Sequence, residues 1–230
     1  MITNTLDGRL LSAADFVRAG AVLADVGTDH AYLPIFLLKS GRIKRAVCSD
    51  INEGPLNSAI ANARDNGVSA LCDFVLTDGA AGLDNYGITD MAVCGMGGEL
   101  IADIIDRAAF VRDNGVRLIL QPMSKHSHLR SYLAENGFSV LDERYSFSGG
   151  KYYTCILAEY TAEIRTVTDA EAELGADIPH TIDRDEYIGF LEAKRRRLTK
   201  VIEGKRQGGE SSESESALLS AVELRLDALK

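Results

Sequence analysis

Ala24-Asp25-Val26-Gly27-Thr28-Asp29-His30 joins a short apolar run to a glycine turn and then to an acid. The run begins at Ala21 and ends at Val26. It has the length and apolar continuity of a strand buried on both faces, as in a parallel sheet. The phosphate-binding fingerprint of dinucleotide folds would place glycines at positions 27, 29 and 32. Only Gly27 meets that pattern, because position 29 is Asp and position 32 is Tyr. The difference is chemical. A pyrophosphate rests on bare amides at a helix start, and a carboxylate there repels it. The stretch therefore predicts a ligand turn that disfavours NAD and nucleoside triphosphates and suits a cationic ligand.

The same rhythm repeats along the chain. Short apolar runs recur at Ala46–Asp50, Cys72–Leu76, Asp90–Cys94 and Val116–Gln121. Helix-like segments separate them: His30–Lys39, Pro55–Asn66, Glu99–Asp106 and Ser124–Asn136. Pro55 suits a first helical turn, and Gly67 and Gly137 suit helix ends. This alternation predicts a doubly wound α/β sheet. Phe138–Tyr145 and Lys151–Glu159, separated by Ser148-Gly149-Gly150, predict a closing antiparallel hairpin. After Tyr160 the strand rhythm stops. Asp185–Gln207 and Ala217–Leu229 carry apolar stripes at helical spacing, broken by Gly208-Gly209-Glu210-Ser211-Ser212. They read as a helical hairpin, with a boundary at 160/161 between an α/β domain (1–160) and a helical part (161–230).

Acids stand at three successive strand ends. Asp25 and Asp29 flank the first turn, Asp50 closes the second run with Ile51, and Asp78-Gly79 follows the third. An acid about twenty residues past the glycine turn is placed to hydrogen-bond ribose hydroxyls, which suits Asp50. Asp78 is placed to meet an adenine amino group. Any one of these acids alone reads as a solvated loop residue, but the set on one sheet edge points to a ligand. S-adenosyl-L-methionine carries a sulfonium and an ammonium and no phosphate, and it fits this edge.

The block Asp25-Val26-Gly27-Thr28-Asp29-His30-Ala31-Tyr32-Leu33-Pro34 resembles the first motif of the bacterial TrmK-type tRNA (adenine-N1)-methyltransferase family. Gly95-Met96-Gly97-Gly98, Leu118-Ile119-Leu120-Gln121-Pro122, Asn136-Gly137-Phe138 and Lys151-Tyr152-Tyr153 extend the likeness through nearly the whole chain. The resemblance implies a Rossmann-like class I methyltransferase fold with a C-terminal helical (coiled-coil) hairpin. It implies methyl transfer from S-adenosyl-L-methionine to ring nitrogen N1 of an adenine in the tRNA D-loop region. On this reading Asp25, Gly27, Asp29, His30, Asp50, Ile51, Asp78, Gly79 and Gly95 hold the cofactor. Met96, Gly97, Gly98, Gln121 and Pro122 line the substrate side, the glycines letting backbone approach a flat ligand. Met123 is given no polar role. Asp29 is the expected catalytic group, stabilising the developing cation, with a purely positioning role as the alternative. His30 lines the crevice or is structural. Tyr32 stacks on a base or packs inside the first helix.

The sequence has 230 residues and a net charge of −9, which argues against a surface coated by nucleic acid. A local exception lies between 190 and 207, where seven basic residues face two acidic ones. Lys194, Arg195, Arg196 and Arg197, followed by Lys200, Lys205 and Arg206, read as a solvated helix face or, with the family likeness, as the tRNA contact. The four cysteines, Cys48, Cys72, Cys94 and Cys155, show no paired spacing and read as small buried hydrophobes, with no metal expected. His126 and His128 do not share a helical face. No run approaches the ~20 apolar residues of a membrane helix. The first seven residues lack the order of a signal peptide, so a cytoplasmic location is expected; a monomer or weak homodimer is expected as well. Two other readings stay open: a methyltransferase for a small molecule or protein, and a non-catalytic RNA-binding module.

Overall fold

The computed structural model describes residues 6–175 and 184–230; the signal-peptide reading rests mostly on residues 1–5, outside the described residues. The five apolar runs form β1 (Val22–Val26), β2 (Arg45–Asp50), β3 (Cys72–Leu76), β4 (Asp90–Gly97) and β5 (Arg117–Ser124). All four pairings among them are parallel. β6 (Phe138–Ser148) and β7 (Lys151–Tyr160) form the expected hairpin, and β7 lies antiparallel against β5. The sheet order is β3-β2-β1-β4-β5-β7-β6. The chain runs from β1 outward through β2 to β3, then returns to place β4 on the other side of β1. That reversal opens a crevice at the carboxyl ends of β1 and β4, where ligands bind in open α/β sheets.

Burial on both faces explains the apolar runs of β1, β2, β4 and β5, while edge strand β3 is half-buried. Ala24, Val26, Met91, Val93, Leu118 and Leu120 point to one side, toward Ile101 and Ile105 of α4 (Gly98–Arg107) and Leu129 and Leu133 of α6 (His126–Glu135). Leu23, Ala92 and Ile119 point to the other. There they meet Ala13 and Phe16 of α1 (Gly8–Phe16), Leu33 and Leu37 of α2 (Tyr32–Lys39), and Ala59 and Ala63 of α3 (Glu53–Asp65). A fully buried side chain of Leu or Ile size contributes about 1.5–3 kcal/mol, so these alternating strand residues dominate the core.

The pattern reading missed three helices: α1, α5 (Phe110–Asp113) and α7 (Asp169–Leu174). The first matters most for the site. Asp7 caps α1 by accepting from the Leu10 amide at 2.9 Å. Arg18, just after α1, donates its amide and Nε to Asp90 at the start of β4. So α1 runs along the sheet with its first residues at the carboxyl edge.

The C-terminal hairpin is α8 (Arg184–Gln207) and α9 (Glu213–Ala228). Its core, Tyr187, Leu191, Leu198, Val222, Leu226 and Leu229, includes Tyr145 of β6 and Leu174 of α7. A buried polar network ties it to the sheet. Arg130 Nε and Nη2 donate to both carboxylate oxygens of Glu143 at 2.6 and 3.2 Å, and Tyr145 Oη donates to the same carboxylate at 2.7 Å. Arg130 also donates to the Ala172 carbonyl at 2.8 Å, and Arg225 of α9 to the Leu174 carbonyl at 2.8 Å. No helix among the described residues is long and apolar enough to cross a membrane.

Candidate active site

The turn after β1 is held from several directions. The Gly27 and Thr28 amides both donate to the Ser49 carbonyl of β2 at 2.9 Å. Asn62 of α3 donates to the His30 carbonyl at 3.0 Å. Gly27 is left-handed (φ 71), and a β-carbon there would overlap the Met96 methyl. Asp29 (φ 48) and Ala31 (φ 55) are left-handed as well. Non-glycine residues avoid this region, and such strain gathers at functional sites.

The two acids of this turn have different environments. Asp25 is 6% exposed and accepts from Thr28 Oγ1 at 2.6 Å. Burial pushes its carboxyl up to about 6; the Thr28 hydrogen bond opposes this and the nearby Asp50 charge adds to it. Asp29 stands out from the turn with its side chain 67% exposed, 3.6 Å from His30 Nε2. Of the two acids, Asp29 presents an exposed carboxylate, whereas Asp25 is buried at the end of β1.

Asp50 is buried at the end of β2 and accepts from the Asn52 amide at 2.9 Å, while Ile51 beside it is exposed. Ser49 Oγ donates to the Gly79 carbonyl at 3.2 Å, joining the second and third strand ends. Asp78 is engaged elsewhere. Arg107 of α4 donates to it at 2.8 Å and holds its carboxyl below the usual range.

The block at 95–98 spans the end of β4 and the start of α4. It was expected as a ligand-receiving loop, yet Met96 and Gly97 continue β4 and pair with Pro122 and Ser124. The ladder shifts register around Met96. This is a bulge at left-handed Gly95 (φ 83), and bulges re-aim side chains. Here the bulge lays Met96 across Gly27. Gly98 admits close backbone approach, but of this chain's own backbone: a β-carbon there would overlap the Lys125 carbonyl. Gln121 was expected on the substrate side. It is fully buried, its Oε1 accepts from Arg9 Nη1 at 3.0 Å, and its Nε2 donates to the Arg9 carbonyl at 3.2 Å. Pro122 lies buried in β5.

Arg9 is the residue sequence reasoning missed. It reaches over the ends of β4 and β5, near Gly95 and 6.0 Å from the Tyr153 ring centroid. The signal was Asp7 as a helix cap before Leu10, Ala13 and Ala14.

The basic run of α8 is partly neutralised. Lys194 is only 19% exposed and pairs with Glu173 at 2.5 Å. Arg195 and Arg196 meet Glu192 at 2.7 and 3.9 Å, and Lys205 meets Glu215 at 2.6 Å. Arg197, Lys200 and Arg206 form no ion pair among the described residues and are exposed. All four cysteines are free, and burial pushes the Cys94 thiol up to about 12. No cluster among the described residues has the side chains to hold a metal ion.

A parallel sheet closed by an antiparallel hairpin, with an acidic turn at its switch point, defines a Rossmann-like fold built for a non-phosphate ligand. The chain belongs to the methyltransferase domain family, whose model matches residues 6–156. It is 32% identical over 154 residues to the tRNA (adenine(22)-N(1))-methyltransferase of Bacillus subtilis (strain 168), covering 67% of this chain and 65% of that protein. The chain thus spans just under two thirds of the length of that curated relative. A candidate tRNA (m1A22) methyltransferase of Streptococcus pneumoniae, solved with S-adenosyl-L-methionine, superposes with a TM-score of 0.81 at 28% identity, over 96% of this chain and 100% of that one. The B. subtilis m1A22 tRNA methyltransferase TrmK superposes with a TM-score of 0.75 at 26% identity, over 99% and 98%.

Proposed function

We propose that this chain is a TrmK-type, S-adenosyl-L-methionine-dependent tRNA (adenine(22)-N(1))-methyltransferase. The observation that carries this reading is the turn at 27–31. It presents an exposed carboxylate, Asp29, over a buried one, Asp25, at the switch point of the sheet. A phosphate is repelled there and a sulfonium is attracted. The relatives support both the donor and the substrate, one by its complex with S-adenosyl-L-methionine and one by its activity.

The bound donor supplies an electrophilic methyl group. Neutral adenine has a lone pair and no proton on N1, so attack needs no base. The task of this chain is to hold the reacting atoms in line and to stabilise the cation that forms in the ring. Asp29 takes the second role. Asp25, Gly27, His30, Asp50, Ile51, Asp78, Gly79 and Gly95 surround the donor, with Met96 and Gly97 on the base side. Gly98 and Gln121 set the shape of the site without touching substrate. Residues 1–160 carry the chemistry. Within 161–230, the unpaired cations of α8, Arg197 foremost, hold the tRNA backbone, with Arg195 and Arg196 contributing only if Glu192 releases them.

Unmodified tRNA incubated with the protein and methyl-labelled donor, then digested and mapped by mass, tests this. The expected product is 1-methyladenosine in the D-loop region. Labelled metabolites or proteins with unlabelled tRNA would replace the reading with a different substrate, and no turnover at all would favour an RNA-binding module.

A further inference from the structure

Three aromatic side chains are exposed among the described residues: Tyr32, Phe147 and Tyr160. Tyr160 ends β7 opposite Phe138, away from the ligand edge. Phe147 sits near the hairpin turn, 4.9 Å from Tyr152. Tyr32 alone belongs to the acidic turn, three residues from Asp29. It opens α2, a helix in which Leu33, Pro34, Ile35, Leu37 and Leu38 are all buried. Packing inside that helix does not account for it, since Tyr32 remains 40% exposed.

Its ring is nevertheless fixed. The His30 imidazole stacks on it at 5.2 Å with an interplanar angle of 25°. Fully buried, left-handed Ala31 sets the backbone between the two rings. The Tyr32 hydroxyl makes no hydrogen bond among the described residues, so nothing polar explains the ring's place. Asp29, His30 and Tyr32 thus form an exposed row of acid and stacked rings on a turn held by Ser49 and Asn62.

We propose that Tyr32, backed by His30, is the stacking surface for the adenine that receives the methyl group. This rests on the tRNA methyltransferase reading above and adds the residue that positions the base. A base extruded from folded tRNA loses its stacking partners, and an aromatic face replaces them. In the reaction, the N1 lone pair bonds to the methyl carbon while the carbon–sulfur pair passes to sulfur. The sulfonium becomes a neutral thioether, the purine becomes a cation, and no proton is transferred. A tyrosine face attracts a cationic ring more than a neutral one. The stacking therefore strengthens toward the transition state and acts on kcat as well as KM.

The test compares Tyr32→Phe, Tyr32→Leu and Tyr32→Ala by donor affinity, steady-state methylation and binding of tRNA with 2-aminopurine at the methylated position. The phenylalanine variant should stay within about twofold of wild type. The leucine and alanine variants should lose roughly tenfold or more in kcat/KM for tRNA, keep wild-type donor affinity, and lose the fluorescence quenching seen with wild type. The leucine variant keeps apolar bulk, so it separates stacking from a collapsed turn. Wild-type kcat/KM and quenching in the leucine variant would overturn the proposal, as would a phenylalanine variant as defective as the alanine one. Because quenching reads binding without turnover, it also tests stacking should wild type prove unable to methylate tRNA, the outcome that would instead defeat the functional reading.

Discussion

Replacing Glu143 with Gln keeps its size and removes the charge facing Arg130. Both side chains are 4% exposed, and the guanidinium holds the carboxylate through two hydrogen bonds. Taking one partner from a buried pair leaves the other charge uncompensated and costs about 3–5 kcal/mol. The amide retains one acceptor for Arg130, which places the expected loss near the lower end, about 3 kcal/mol. For a chain of 230 residues, each kcal/mol lowers Tm by roughly 2–4 °C, so a fall of roughly 6–12 °C is expected. Urea denaturation followed by circular dichroism reads the free energy directly. Because Arg130 and Tyr145 also hold the Ala172 and Leu174 carbonyls, tRNA affinity should fall before the catalytic sheet unfolds. The double variant Arg130→Met, Glu143→Leu should recover to within about 1 kcal/mol of wild type, since apolar replacement of a buried pair is often neutral. A single variant as stable as wild type, or a double variant worse than the single, would refute the reasoning.

Three other outcomes are expected. Asp29→Ala should lower kcat roughly ten- to hundredfold with tRNA affinity nearly unchanged, and equal turnover in single-turnover assays would remove its catalytic role. Asp25, raised to about 6 by burial, is neutral below that pH, so donor affinity measured calorimetrically should fall as pH drops through about 6 and be flat in Asp25→Asn. The stability term has the opposite sign: the raised carboxyl favours the fold fully below its ordinary value of 3.8 and loses that contribution as pH rises through about 6. Changing Arg197, Lys200 and Arg206 together to Ala should reduce the salt slope of tRNA binding by about 0.7–0.9 for each phosphate no longer neutralised, whereas Lys194→Ala should chiefly lower Tm; an unchanged slope would place the RNA elsewhere.

The sheet was legible because the central strands β1, β2, β4 and β5 are buried on both faces and nearly continuous in apolar residues, whereas edge strand β3 is half-buried and carries Asp73. The hairpin was legible from Gly149-Gly150. The first helix was overlooked although Asp7 caps it and Leu10, Leu11, Ala13, Ala14 and Phe16 follow, because it is a single short helix ahead of the first strand, and Arg9 went with it. The Thr168 capping box with Glu171 was readable by spacing and marks α7 in the structure. At the site, the pattern located the acids but not their partners. Spacing does not show that Gln121 is occupied by a residue 112 positions away, that Arg107 holds Asp78, or that Lys194 turns inward to Glu173. Glycines at 95 to 98 signal close approach, yet the sequence does not say whether a ligand or the chain itself approaches, and at Gly98 it is the chain.

In the proposed function, the turn carrying Asp25 and Asp29 is an anionic seat for a cationic methyl donor. Calorimetric titration of the protein with S-adenosyl-L-methionine, NAD and ATP in turn measures that choice. Saturable binding of the sulfonium compound is expected, weakened in Asp29→Asn, with no heat from the two phosphates. Saturable binding of NAD or ATP with none of S-adenosyl-L-methionine would contradict it.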